Sequence, residues 1–100
     1  MKKRPATRLE REHMGRVAAL GCIVCEDLGY PGSPACVHHI HKQGLSIRAN
    51  HFDTIPLCPT HHQNGGFGVA IHAGRKTWES IYGTEEELLA RVKERLGLTK

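Results

Sequence analysis

The chain has 100 residues, of which 39% are hydrophobic and 5% aromatic. That length accommodates one domain, excludes a large enzyme carrying its own cofactor domain, and holds no apolar run near the roughly 20 residues of a membrane span. Formal net charge is +4, with eight His and four Cys, a mildly basic balance compatible with a polyanionic partner such as nucleic acid.

Residues 1–6 read as a disordered basic tail, and no apolar stretch follows them to make a secretory signal. A helix is expected from Thr7, where Thr7 and Glu10 have capping-box spacing. Leu9, His13, Val17 and Leu20 share one face of it, His13 reading as a partly buried side chain, and Gly21 ends it. Cys22-Ile-Val-Cys25 comes next, then a turn-rich stretch over residues 29–34. Residues 35–40 read as a short strand, 41–50 as a polar loop, and 52–57 as a second strand that Pro56 keeps from a central place. Cys58-Pro-Thr-His-His62 reads as a tight turn entering a helix, with Pro59 at its first position. Gly65, Gly66, Gly68 and Gly74 predict a mobile loop around His72. A short helix over 77–83 closes at Gly83. A last helix opens with Thr84 and Glu87 as a capping box and carries an apolar stripe, Leu88, Leu89, Val92 and Leu96, up to Gly97. The expected fold class is α+β, with residues 7–100 as one unit.

Three constellations carry chemistry. Seven of the eight His lie between residues 38 and 72, and with no export signal the four Cys point to metal ligation in a reducing compartment rather than to disulfides. Cys22-x-x-Cys25 and Cys58-x-x-His61 are two knuckles, each bringing two ligands across a tight turn, and together they complete a tetrahedral shell for structural Zn²⁺. Cys36, on a strand, is the alternative fourth ligand to His61.

The second constellation is His38, His39, His62 and His72. Neighbours on a strand face opposite ways, so His38 and His39 have different tasks: one can ligate an ion while the other takes a proton from water. Three neutral imidazoles on an ion leave positions open for water and a phosphate oxygen. A second structural histidine cluster is the alternative. The third is the glycine-rich run from Gly65 to Gly74 with Arg75 and Lys76 beside it. It suits close approach to a nucleic-acid backbone, lacks the order of a nucleotide P-loop, and reads equally as a surface loop.

Cys22-x-x-Cys25, Val37-His38-His39-Ile40 and Pro56-Leu57-Cys58-x-x-His61-His62 resemble the HNH endonuclease pattern with an embedded zinc knuckle pair. Within that superfamily the chain is most similar to the phage Ref-type recombination enhancement nucleases. These share the HHI, PLC-x-x-HH and G-x-x-x-H-x-G runs and the aromatic segment from Trp78 to Tyr82. The resemblance covers roughly residues 21–83.

It implies a small zinc-stabilised ββα-metal core with flanking N- and C-terminal helices. His39 would activate the attacking water, and His38, His62 and His72 would hold a catalytic divalent ion, Mg²⁺, Mn²⁺ or Zn²⁺. The family's central Asn maps to Asp53, with Asn50 as a nearby alternative, and its work is to pin the loop between the strands. DNA is the implied substrate, Arg75 and Lys76 contacting its backbone, in the cytoplasm of a bacterial or phage-infected host cell. A recombinase filament is a plausible director of the cutting. A non-catalytic zinc-knuckle module binding nucleic acid or protein is the rival reading, and a secreted disulfide scaffold a third.

Overall fold

The computed structural model describes residues 5–40 and 50–98. The first part of the basic tail and most of the predicted polar loop, including His41, lie outside the described residues. Helix α1 spans Arg8–Ala19, α2 Ile23–Asp27, β1 Cys36–His39 and β2 Thr54–Leu57. A π-helical turn, Thr60–Asn64, and a 3₁₀ turn, Ile71–Ala73, precede α3, Arg75–Tyr82, and α4, Glu85–Arg95. The class is α+β, and no described helix is long and apolar enough to cross a membrane.

Both capping boxes form as the sequence predicts. Thr7 Oγ1 accepts from the Glu10 N–H at 3.1 Å while the Thr7 N–H donates to Glu10 Oε1 at 2.7 Å, and Thr84 and Glu87 repeat the exchange at 3.1 and 2.9 Å. Such a cap is worth about 1 kcal/mol, so these two helices start where local chemistry dictates. Gly21, at φ +82°, ends α1 in a conformation that L side chains rarely adopt, and a Cβ there would stand 3.1 Å from Gly32 Cα. The close approach lets the Cys22 N–H donate to Ser33 O at 3.0 Å, so the Cys22 knuckle is tied to the chain entering β1.

The strands pair antiparallel, Cys36 opposite Leu57, Val37 opposite Pro56, His38 opposite Ile55 and His39 opposite Thr54. A two-stranded ribbon has no central strand, so Pro56 is tolerated. All four residues of β2 are buried because α1, α2 and α4 pack around it. The core comprises Val17, Ile23, Val24, Ile40, Ile55, Leu57, Trp78, Leu88 and Val92, and each such side chain stabilises the fold by about 1.5–3 kcal/mol.

Several boundaries differ from expectation. Leu9 is 66% exposed, not part of the buried face: a 12-residue helix runs about 18 Å and overhangs a four-residue strand of about 13 Å, leaving Val17 to meet the sheet. His13 is half-buried, its ring 5.1 Å from that of Phe52. Phe52 and Asp53 fall outside β2 because Asn50 gathers them into a turn, its Oδ1 accepting from the Phe52 N–H at 2.8 Å and its carbonyl from the Asp53 N–H at 3.0 Å. The Cys22 knuckle is helical, Cys22 capping α2 with its sulfur on the Cys25 N–H at 3.4 Å. Helix α3 begins at Arg75, two residues early, because Gly74 serves as its N-cap.

Helix α4 is latched to α2 by a bidentate Arg91–Asp27 pair at 2.7 and 2.9 Å and by Arg95 on Glu26. The Arg91 guanidinium holds the Asp27 carboxyl below its ordinary value of 3.8. A depressed carboxylate contributes stability above its unfolded value and loses it as pH falls through the folded one. The pair is half-exposed, so Asp27→Asn is expected to cost less than about 1 kcal/mol at neutral pH. Thermal melts of variant and parent should differ at pH 7 and converge well below 3.8.

Candidate metal centres and their surroundings

Among the described residues, two groups of side chains could hold a metal ion: Cys22, Cys25, Cys58 and His61, and then His38, His62 and His72, each with its ligand atoms within 4.8 Å of one another. In the first group Cys25 Sγ lies 3.7 Å from Cys58 Sγ, and His61 Nδ1 stands 3.7, 3.6 and 3.2 Å from the sulfurs of Cys22, Cys25 and Cys58. A tetrahedron with Zn–S bonds of about 2.3 Å has S···S edges of about 3.8 Å, so the spacing is compatible with zinc. A disulfide needs about 2.05 Å, and all four Cys are free, which removes the disulfide scaffold. Burial pushes the Cys22 thiol up to about 12. Burial acts the same way on Cys58, but hydrogen bonds from the His61 backbone and from the Cys25 and Cys22 side chains outweigh it and hold that thiol below its ordinary value.

Cys36 is not in this group. Its exposed sulfur sits 3.3 Å from Leu57 O and 3.4 Å from His62 Nδ1, so it stands behind the second cluster.

The π-turn sends its two adjacent histidines to different places. His61 is buried among the cysteines, against the Tyr82 ring at 5.5 Å, while His62 faces His72, Nε2 to Nε2 at 3.0 Å. The winding closes at Gly65, whose N–H donates to Thr60 O at 2.9 Å, five residues back. A Cβ on Gly65 would fall 2.5 Å from that carbonyl and 2.5 Å from Val69 Cγ1, so glycine is required by space alone. The predicted helix after Pro59 therefore forms with wider winding than expected, a feature frequent at functional sites.

The return of His72 is achieved by packing as well as by glycines. Ala70 and Ile71 are buried, and the fully buried Trp78 donates its Nε1–H to Val69 O at 3.0 Å. His38, His62 and His72 then have ring centroids 4.5–5.3 Å apart. They grade from buried His38 through half-buried His62 to exposed His72, leaving one side open to solvent. Burial first, and then His38 and His72, push His62 down to about 4. The imidazole is thus neutral at pH 7, the form that ligates an ion. A cleft of about 350 Å³ adjoins the cluster, lined among others by His38, His72, Arg75 and Glu85.

His39 diverges from His38, as alternation along β1 requires. It is half-buried, and its Nε2 lies 2.8 Å from His51 Nδ1, one ring donating and the other accepting. Burial, then His51 and His38, hold it below its ordinary value, so it too is neutral at pH 7. Asp53 carries an ion pair to Lys93 at 3.2 Å, and its carbonyl accepts from the Ile40 N–H at 3.2 Å. Arg75 reaches Glu85 at 3.4 Å with its side chain 40% exposed, and Lys76 is exposed. Neither His51 nor Glu85 is singled out by the sequence, and Cys36 is named there only as an alternative zinc ligand, not as a neighbour of His62. No spacing signal marks His51 or Cys36, and Glu85 reads as an ordinary acidic residue of a helix's first turn.

Because Gly65 closes the turn that positions both histidines, Gly65→Ala is expected to cost about 1–3 kcal/mol, lowering the thermal midpoint by several degrees. Histidine NMR signals of both clusters should shift together; a variant with the parent's midpoint and spectrum would contradict this account of the turn.

No curated protein matches the chain. The family model described as recombination enhancement, RecA-dependent nuclease matches residues 6–97, in keeping with the Ref-type resemblance of the sequence and with a setting that involves DNA and RecA. The chain belongs to that family of recombination-enhancement, RecA-dependent nucleases.

Proposed function

We propose that this chain is a one-domain, metal-dependent DNA endonuclease of the HNH kind, with β1, β2 and the following π-turn as its ββα-metal core. The observation that carries the reading is the separation, on one strand, of His38 in an open three-histidine cluster from His39 outside it. In this reading Cys22, Cys25, Cys58 and His61 hold a structural Zn²⁺, and His38, His62 and His72 hold the catalytic divalent ion, Mg²⁺, Mn²⁺ or Zn²⁺. When bound, that ion polarises the scissile phosphate and stabilises the departing 3′ oxygen.

His39 takes the proton from the attacking water. In this reading its Nε2–H donates to His51 Nδ1, so that Nδ1 is the basic nitrogen and the ring's orientation is fixed. Water oxygen bonds to phosphorus as the bond to the 3′ oxygen breaks, and a proton returns to that oxygen from solvent. Asp53 pins the loop between the strands through Lys93 and through its own carbonyl on the Ile40 N–H. Arg75 and Lys76 meet the DNA backbone, which makes binding salt-dependent and little concerned with sequence. A recombinase filament directs the cutting, which places the activity in the cytoplasm beside the DNA.

His39→Ala is expected to lower nicking of supercoiled plasmid at least a hundredfold, the scale of a lost general base, with unchanged metal content and melting temperature. Unchanged nicking would sink the nuclease reading in favour of a non-catalytic binding module. Cys25→Ser tests the structural ion. Zinc binding of this kind is worth on the order of 10 kcal/mol, comparable to the whole stability of a small domain. The variant is therefore expected to lose its cooperative thermal transition along with one zinc per chain; retention of both would contradict the four-ligand assignment.

A further inference from the structure

Helix α4 opens with three consecutive glutamates that meet different fates. Glu86 and Glu87 are exposed, whereas Glu85 is 3% exposed. Capping does not require this, because Thr84 and Glu87 already form the box. Burying a carboxylate costs several kcal/mol unless charge and hydrogen bonds compensate it. The compensation is specific: Glu85 Oε2 lies 2.6 Å from His38 Nε2, and Arg75 Nη1 donates to Oε1 at 3.4 Å. The Glu85 N–H donates to Glu79 Oε2 at 2.7 Å, anchoring this end of α4 to α3.

An ionised carboxylate only accepts hydrogen bonds, so the shared proton belongs to His38 Nε2, and the remaining lone pair of the ring is on Nδ1. A matching constraint acts on the second ring of the cluster. Cys36 Sγ sits 3.4 Å from His62 Nδ1, while the other nitrogen of His62 is the one facing His72. Both rings thus have one nitrogen engaged from behind.

We infer that Glu85 is the positioning residue of the three-histidine centre: its carboxylate keeps the His38 proton on Nε2, so that Nδ1 is presented to the ion. The inference rests on the reading of His38, His62 and His72 as an ion-binding set, and it extends that set to an element far away in sequence. A carboxylate behind a ligand imidazole fixes its tautomer and raises its basicity, and removing it typically weakens metal binding 10–100-fold. Arg75 in turn steadies the carboxylate from its other oxygen.

The test measures zinc binding by competition with a chromophoric chelator, independently of nuclease activity. The parent protein is expected to take up two ions per chain. Glu85→Gln keeps the size of the side chain but not its charge, and should bind the second ion roughly 10–100-fold more weakly while the cysteine cluster keeps its own. A second measurement needs no variant: long-range ¹H–¹⁵N correlation spectra of the zinc-loaded parent should show His38 protonated on Nε2 and metal-bound through Nδ1. Equal zinc affinity in Glu85→Gln, even with a lowered melting temperature, would overturn the inference and leave a purely structural carboxylate. Metal bound through Nε2 would also overturn it, since the ion would then occupy the nitrogen whose proton Glu85 is inferred to hold. A parent protein that binds one ion would overturn the three-histidine reading itself and the inference with it.

Discussion

The convergence of Cys22, Cys25, Cys58 and His61 is the constraint on which the remaining geometry depends. These four residues come from the N-cap of α2, the first turn of α2, the residue that follows β2 and the π-turn. Bringing them within 4.8 Å of one another fixes where the N-terminal helices meet the ribbon. The core around β2 is small, and a chain of this length has few other means of joining segments so distant in sequence. The second cluster inherits its place from the first. His62 follows His61 on the same turn, and His38 is held on the strand that pairs with β2.

Adjacent residues are used throughout to divide tasks between neighbouring environments. His38 and His39 part because a strand alternates its faces; His61 and His62 part because a helical turn rotates successive side chains. The two dipeptides supply members of both clusters and the histidine outside them, with no extra length of chain. Crowding imidazoles in this way has an electrostatic result. Burial first, and the neighbouring imidazoles second, hold His39 and His62 below the ordinary histidine value, so both stay uncharged at neutral pH and keep a lone pair available.

The parts of this arrangement that were legible in the sequence are the local ones. Thr7 with Glu10, Thr84 with Glu87, and the two knuckles each operate over three residues, where backbone geometry alone sets what can meet. The opposed directions of His38 and His39 follow from strand period. Features that depend on distant partners were not legible. Nothing about Glu85 distinguishes it from Glu86 until α4 is docked, and His51 gains meaning only through its contact with His39. The exposure of Leu9 reflects the short length of the ribbon that α1 covers. The π-winding at residues 60–64 arises from the tight fit of Gly65 against Thr60 and Val69, which no periodicity records.

Helix α4 touches both halves of this design. Its first residue, Glu85, stands behind His38, while Arg91 and Arg95 grip Asp27 and Glu26 on the helix that carries Cys25. From Glu85 to Arg95 the helix measures about 15 Å, and it is rigid over that length. The helix therefore acts as a gauge between the cysteine cluster and the histidine cluster. Its two ends are also locked in phase. One residue added between Glu85 and Arg91 would turn one end by about 100° relative to the other, so that Glu85 could stay on His38 or the arginines on α2, but not both. The length of this surface helix is thus as much a part of the histidine centre as the side chains that line it.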